Sequence, residues 1–321
     1  MAAPEQPSAE DIILYEKDPK TKIATITFNR PDHLNAPTIA ARLRYGNLIH
    51  RANVDDDVKV LVVRGVGNNL GGGADLPEQA EMLSETSEHS LLNEFEIEDD
   101  GDIKYPPKKS YRYLATLTQL YANPRAGCRS LQEFKKISIV EVKGYCYGWH
   151  FYQAGDADLV ISSDDALFGH PAFRYVGWGP RMWTWAQTMG LRKFQEMVFT
   201  GRPFTAKEMY DCNFINSVVP RDRLEAEVEK YALACSRTRP TDTVFMQKTF
   251  FELMKQHQGE YMGSMLTAYL EAMGPYVRPD GDELMLGDNT FDKGLNNAVK
   301  DNDSLFPPDF RLSKSGRKRA E

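Results

Sequence analysis

Four cysteines among 321 residues (Cys128, Cys146, Cys212 and Cys235) are too few and too far apart for a CxxC pair, so neither a disulfide framework nor a zinc site is encoded. No apolar run approaches the roughly 18 residues of a membrane span. Positive charge is not in excess: 39 Lys and Arg stand against 46 Asp and Glu, a net charge of −7. That balance argues against broad nucleic-acid binding, which needs a basic face. The opening MAAPEQPSAEDI lacks the basic-then-apolar order of a secretory signal. A soluble, reduced, cytoplasmic protein is expected. A phosphate loop is missing too. No GK[ST] occurs, and Gly65-Val66-Gly67-Asn68-Asn69-Leu70 lacks the last glycine of a dinucleotide fingerprint. What remains, 41% hydrophobic and 26% charged, is a globular composition long enough for two domains or one large core with an appendage.

The pattern along the chain is that of an α/β core. Ile12–Tyr15 and Lys22–Phe28 alternate and are rich in β-branched residues, predicting two strands joined by a turn over Lys17–Thr21. A helix is predicted over Ala40–Ala52, and Val58–Arg64 reads as a strand covered on both faces. The order recurs with a strand at Ile137–Val142, a glycine turn, a helix and a strand at Asp158–Ser162, which indicates parallel pairing. The stretch Ser84–Ser130, acidic over Glu94–Asp102 and then rich in Tyr, Pro and Arg, is a long insertion. From Glu225 onward the spacing of Val228, Tyr231, Ala232 and Cys235, then of Phe245, Thr249 and Leu253, predicts amphipathic helices. The basic end SKSGRKRAE reads as a solvated tail.

Two glycine turns carry the sharpest local signal. In Gly71-Gly72-Gly73-Ala74-Asp75-Leu76-Pro77-Glu78 the glycines admit a close ligand, and Asp75 with Glu78 predicts a capping box at a helix start. The second turn, Val142-Lys143-Gly144-Tyr145-Cys146-Tyr147-Gly148-Trp149-His150, leaves a strand and enters a helix. Around them, in order, stand Asn29-Arg30-Pro31, Asn35-Ala36, Asp158, Phe168-Gly169-His170-Pro171-Ala172, Phe199–Glu208 and Asn213–Pro220. This series resembles the crotonase (enoyl-CoA hydratase/isomerase) superfamily over about Ile12 to Pro220.

The resemblance implies a spiral of ββα turns over residues 11–220, with the insertion at 84–130, and a helical C-terminal region over 221–321 that packs against neighbouring subunits in a homotrimer or a dimer of trimers. It implies an acyl-CoA thioester as substrate, with coenzyme A as part of that substrate and no other cofactor or metal. It also implies a backbone oxyanion hole whose N–H donors, by position, are those of Gly72 and Trp149. Donors of this kind contribute roughly 2.7–4 kcal/mol each.

The chain departs from the family where hydratases carry two glutamates: those positions fall at Tyr152 and Ala172, and no Asp or Glu occurs from Ala166 to Gln195. His170, Tyr152, Tyr175 and His150 remain within reach, and His170 is the leading proton-transfer candidate because an imidazole titrates near neutral pH. A packed loop histidine and a packed tyrosine are the bland accounts of His170 and Tyr152. Asp156 can share the helix face of Tyr152, Asp158 reads as structural, and Glu141 with Lys143 as an ion pair. Trp183 and Trp185 cannot both face one side of a helix, so one should meet a partner. Arg112, Arg125 and Arg129 read as a solvated face or as contacts to coenzyme A phosphates. Asn213 suits a left-handed helix cap. A thioester enzyme of the hydratase/isomerase type is the expected function. The alternatives are a crotonase-type hydrolase of β-diketones and a non-catalytic acyl-CoA binder.

Overall fold

The computed structural model describes residues 7–78, 102, 104, 106–107, 110–122, 129–175, 177–273 and 295–317. A short helix α1 (Ala9–Ile12) leads into β1 (Ile13–Asp18), which pairs antiparallel with β2 (Ile23–Phe28). Helix α2 (Ile39–Val54) starts on the Thr38 side chain, which accepts from the Ala41 N–H, and buries Ala41, Tyr45, Leu48, Ile49 and Ala52 at helical spacing. After β3 (Val60–Gly65) and α3 (Tyr111–Ala122) come β4 (Ile137–Val142), β5 (Tyr145–Tyr147), α4 (Trp149–Asp156), β6 (Leu159–Ser163) and β7 (Leu167–Gly169). Helices α5 (Met182–Met189), α6 (Leu191–Thr200) and α7 (Ala206–Asp211) follow, with β8 (Phe204–Thr205) between the last two and β9 (Ser217–Val219) after them. The C-terminal helices are α8 (Leu224–Arg237), α9 (Thr241–His257), α10 (Glu260–Met273), α11 (Leu295–Ser304) and α12 (Lys314–Arg317).

Two sheets organise these elements. The larger runs β1-β2-β3-β4-β6-β9, parallel from β2 onward, and the smaller runs β5-β7-β8. The β3 run Val60–Val63 is buried on both faces: Leu61 and Val63 join the main core, whereas Val60 and Val62 pack with Leu224, Val228 and Ala232 of α8. That double burial explains its uninterrupted apolar sequence.

Several expectations hold at the level of single residues. The strand at Ile137–Val142 has the predicted bounds. Lys143 meets Glu141 at 3.2 Å, Asp158 accepts from the Ser138 N–H and from Lys248, and Asn213 adopts φ +66°. The capping box is only half formed. Asp75 Oδ1 accepts from the Glu78 N–H, but the Glu78 carboxylate accepts from the Ile39 N–H at the start of α2 instead. Of the insertion, the described part contributes α3, against which α10 packs.

The C-terminal helices divide. Helix α8 buries the predicted Val228 and Ala232, but α9 buries Val244, leaving Thr249 and Leu253 to solvent and Phe245 at the margin. The apolar stripe of Phe245, Thr249 and Leu253 therefore points outward within this chain. Trp185 is buried, and Trp183 lies over Gly263 of the chain's own α10, where a Cβ would come 2.0 Å from the indole. Its partner is a C-terminal helix of the same molecule. Among the described residues, no helix is long and apolar enough to cross a membrane.

Candidate functional site

The two glycine turns meet. Gly71 pairs with β5: its N–H donates to the Tyr145 carbonyl at 2.8 Å, and its own carbonyl accepts from the Tyr147 N–H at 3.0 Å. Gly73 (φ +117°) and Gly148 (φ +54°) face each other so closely that a Cβ built on Gly148 would lie 3.2 Å from the Gly73 Cα. Both need glycine for the dihedral angle, and Gly148 for the space as well. The Gly148 N–H donates to the Gly169 carbonyl at 3.0 Å, and this brings the loop of His170 alongside.

Trp149 is the first residue of α4, so its N–H has no carbonyl four residues back within the helix. No backbone acceptor for it is found among the described residues. Its indole is buried edge-on to Phe28 and Tyr45, with ring centroids 5.5 and 5.0 Å away. The Gly72 N–H, expected to be free, instead donates to the Leu34 carbonyl at 2.8 Å. The physical reason lies in two successive left-handed residues, Leu34 (φ +51°) and Asn35 (φ +56°), which turn that carbonyl toward the glycine.

His170 is buried beside Tyr152, Phe173 and Trp185, at ring distances of 5.5, 4.9 and 5.6 Å. Its Nε2 lies 3.0 Å from the Trp178 carbonyl, an acceptor, so the ring proton sits there and Nδ1 keeps its lone pair. That Nδ1 is buried without a partner among the described residues. Burial lowers the His170 pKa to about 4. His150 is likewise buried and neutral, its pKa lowered by burial to about 3. Tyr152 is buried against His170 and Trp185. Tyr175 donates from its hydroxyl to Asn302 at 3.3 Å.

Of the three arginines, one departs from the expectation. Arg129 is buried and meets Glu260 at 3.2 Å, so it belongs neither to a solvated face nor to a phosphate contact. Arg112 is exposed on α3, and Arg125 lies outside the described residues. Sequence reasoning also missed the buried hub around Arg181. Its guanidinium donates to Asp156 (3.1 Å), Glu260 (3.3 Å), Ser264 (2.9 Å), Thr184 (2.8 Å) and Gln132. Asp156 thus faces Arg181, its pKa raised by burial against the pull of the arginine. Burial pushes Glu260 upward as well, but Arg181, Ser264 and Arg129 outweigh it and hold the carboxyl below its ordinary range. The available signal was Arg181 itself, a cation inside a carboxylate-free apolar stretch. Also missed was Glu271 on α10, whose Oε2 is buried without a partner among the described residues and whose pKa burial raises to about 8. No cluster of metal-ligating side chains occurs among the described residues.

Comparison with known proteins places this geometry in a family. Residues 109–269, half of the chain, match the profile of the family described as enoyl-CoA hydratase/isomerase. Mevalonyl-coenzyme A hydratase sidH of Aspergillus fumigatus is 25% identical over 88% of this chain and 90% of its own length. An enoyl-CoA hydratase structure from Mycobacterium smegmatis superposes with a TM-score of 0.74 at 24% identity, covering 94% of this chain and 96% of that one. An enoyl-CoA hydratase/isomerase from Xanthobacter autotrophicus Py2 gives 0.68 at 24% identity, covering 92% and 98%. Those two likenesses concern the fold. With its two meeting glycine turns and the profile match, the chain belongs to the enoyl-CoA hydratase/isomerase family.

Proposed function

We propose that this protein binds an acyl-CoA thioester at the junction of the two turns and moves a proton α to its carbonyl, with His170 as the base in place of a glutamate pair. The observation that carries this reading is the tautomer of His170. The Trp178 carbonyl holds the proton on Nε2, and the buried Nδ1 lone pair has no partner among the described residues. A neutral imidazole can take the proton, forming imidazolium as the substrate becomes an enolate, and the two new charges offset each other in the apolar pocket. The enolate oxygen would accept from the Trp149 N–H and from the Gly72 N–H. The second contact requires it to displace the Leu34 carbonyl. Leu34 leaving a left-handed conformation, which costs a non-glycine residue about 1–2 kcal/mol, favours that exchange. Tyr152, beside His170, packs against the base and helps keep water from it.

The test is turnover of crotonyl-CoA and of longer or cyclic enoyl-CoAs. The His170→Ala variant should lose about 10²–10⁴-fold in kcat with a smaller change in KM. Unchanged kcat removes His170 from the chemistry. Cleavage of β-diketones alone supports the hydrolase alternative, and binding of every thioester without turnover supports a non-catalytic binder.

The same reading includes a homotrimer or dimer of trimers built on α9 and α10, where Met246, Phe250, Phe251, Leu253, Met262 and Leu266 are each exposed. Sedimentation should give a trimer or hexamer mass, and a monomer at micromolar concentration would discard it.

A further inference from the structure

We propose that His150 is the positioning residue of the thioester-carbonyl site, a side chain of the second turn that sets the first. The proposal rests on the thioester reading above and assigns a residue that reading does not use.

His150 is the second residue of α4, and its imidazole reaches back under the glycine triplet. Nδ1 accepts from the Gly73 N–H at 3.3 Å, and the ring stands edge-on to Phe28 at 4.8 Å. It presses so closely on the triplet that a Cβ on Gly71 would lie 2.1 Å from Cε1. Gly72 therefore sits between two pinned neighbours. On one side Gly71 is tied to β5 through both its N–H and its carbonyl. On the other, Gly73 is tied to His150. The direction of the Gly72 N–H follows from those two flanking peptide planes. The Trp149 N–H is one residue from the ring that pins Gly73, so one side chain couples both donors.

Chemistry favours histidine here over an apolar ring. A phenylalanine would fill the space yet leave the Gly73 N–H without its acceptor. Accepting at Nδ1 places the ring proton on Nε2, a buried donor that interacts with the Asn35 backbone, so the ring is held from both nitrogens. An oxyanion donor must lie within about 2.7–3.1 Å of its oxygen, so a small drift of the triplet lowers its effect.

The test uses acetoacetyl-CoA, whose enolate absorbs in the near ultraviolet, with binding measured separately by calorimetry. In the wild type the bound probe should enolise at lower pH than in free solution. His150→Leu should bind within about threefold but hold roughly tenfold less enolate at fixed pH, a shift of about one unit in the apparent enolisation pKa. His150→Asn, whose Oδ1 takes the place of Nδ1, should recover most of the loss. Gly71→Ala, which displaces the ring while leaving His150 in the chain, should reproduce His150→Leu. Should His150→Leu fail to fold, the contrast between Gly71→Ala and His150→Asn decides in its place. Equal enolate in wild type, His150→Leu and Gly71→Ala overturns the role of His150 and leaves the thioester reading standing. A wild type that binds the probe without enolising it removes the thioester carbonyl site, and His150's place in it.

Discussion

Two buried polar regions share the α4 helix and differ in how they are satisfied. At its C-terminal end Asp156 enters the Arg181 hub, where acidic, basic and neutral polar side chains from α4, the N-cap and body of α5, α10 and the loop before β4 answer one another. At its N-terminal end stand two neutral histidines, His150 held by the Gly73 N–H and the Asn35 backbone, and His170 held at Nε2 with its Nδ1 unpartnered among the described residues. The hub joins elements far apart in sequence and fastens α10 to the core. The histidine end gives up one hydrogen bond while keeping its rings in place. Stability is concentrated in one, and unspent acceptor capacity, at His170 Nδ1, in the other.

Breaking the hub should produce the largest effect. Arg181→Leu leaves Asp156 and Glu260 buried without their central cation, and about 3–5 kcal/mol should be lost in urea unfolding at pH 7. A loss under about 1 kcal/mol would mean that water already reaches those carboxylates.

The histidine end should respond to pH instead. Both imidazoles have native pKa values, about 3 and about 4, below the ordinary 6.5. The unfolded chain therefore binds protons that the native state refuses, and stability falls as the pH drops below about 6.5. Each histidine contributes a slope of at most about 1.4 kcal/mol per pH unit until its native pKa is reached. Glu271 acts in the opposite sense. Its native pKa of about 8 exceeds the ordinary 4.5, so the native state holds the extra proton, and stability falls as the pH rises from 4.5 through 8. Two histidines outweigh one glutamate below 6.5, and the glutamate acts alone above it. Thermal melting should peak near pH 6.5, and Glu271→Gln should flatten the alkaline side and steepen the acid side between pH 4.5 and 6.5. A melting temperature that stays level from pH 5 to 8 would contradict both burials.

What was legible in the sequence follows the range of the interaction. Ile137–Val142 could be bounded because burial on both faces selects an unbroken β-branched run, and Glu141 with Lys143 because alternation puts them on one face. Asn213 could be read from its own tolerance of positive φ. The meeting of the two turns was legible through the order of several motifs together. By contrast, Arg181 finds its acids 25 positions before and 79 after it, and no local pattern carries that pairing. The engagement of Gly72 by Leu34 depends on a loop's backbone angles, and the outward apolar face of α9 on which side the neighbouring elements leave open. Periodicity reports that such a face exists without saying what covers it.

The close approach of His150 to Gly71 has a consequence for descent. A β-carbon at position 71 and an imidazole at position 150 exclude each other sterically, although 79 positions separate them along the chain. Among homologous chains the two sites should therefore exchange together, with alanine or serine at 71 accompanied by glycine or another small residue at 150. A lineage that acquired the histidine first had to hold glycine at 71 already, and it cannot lose that glycine while the ring stays.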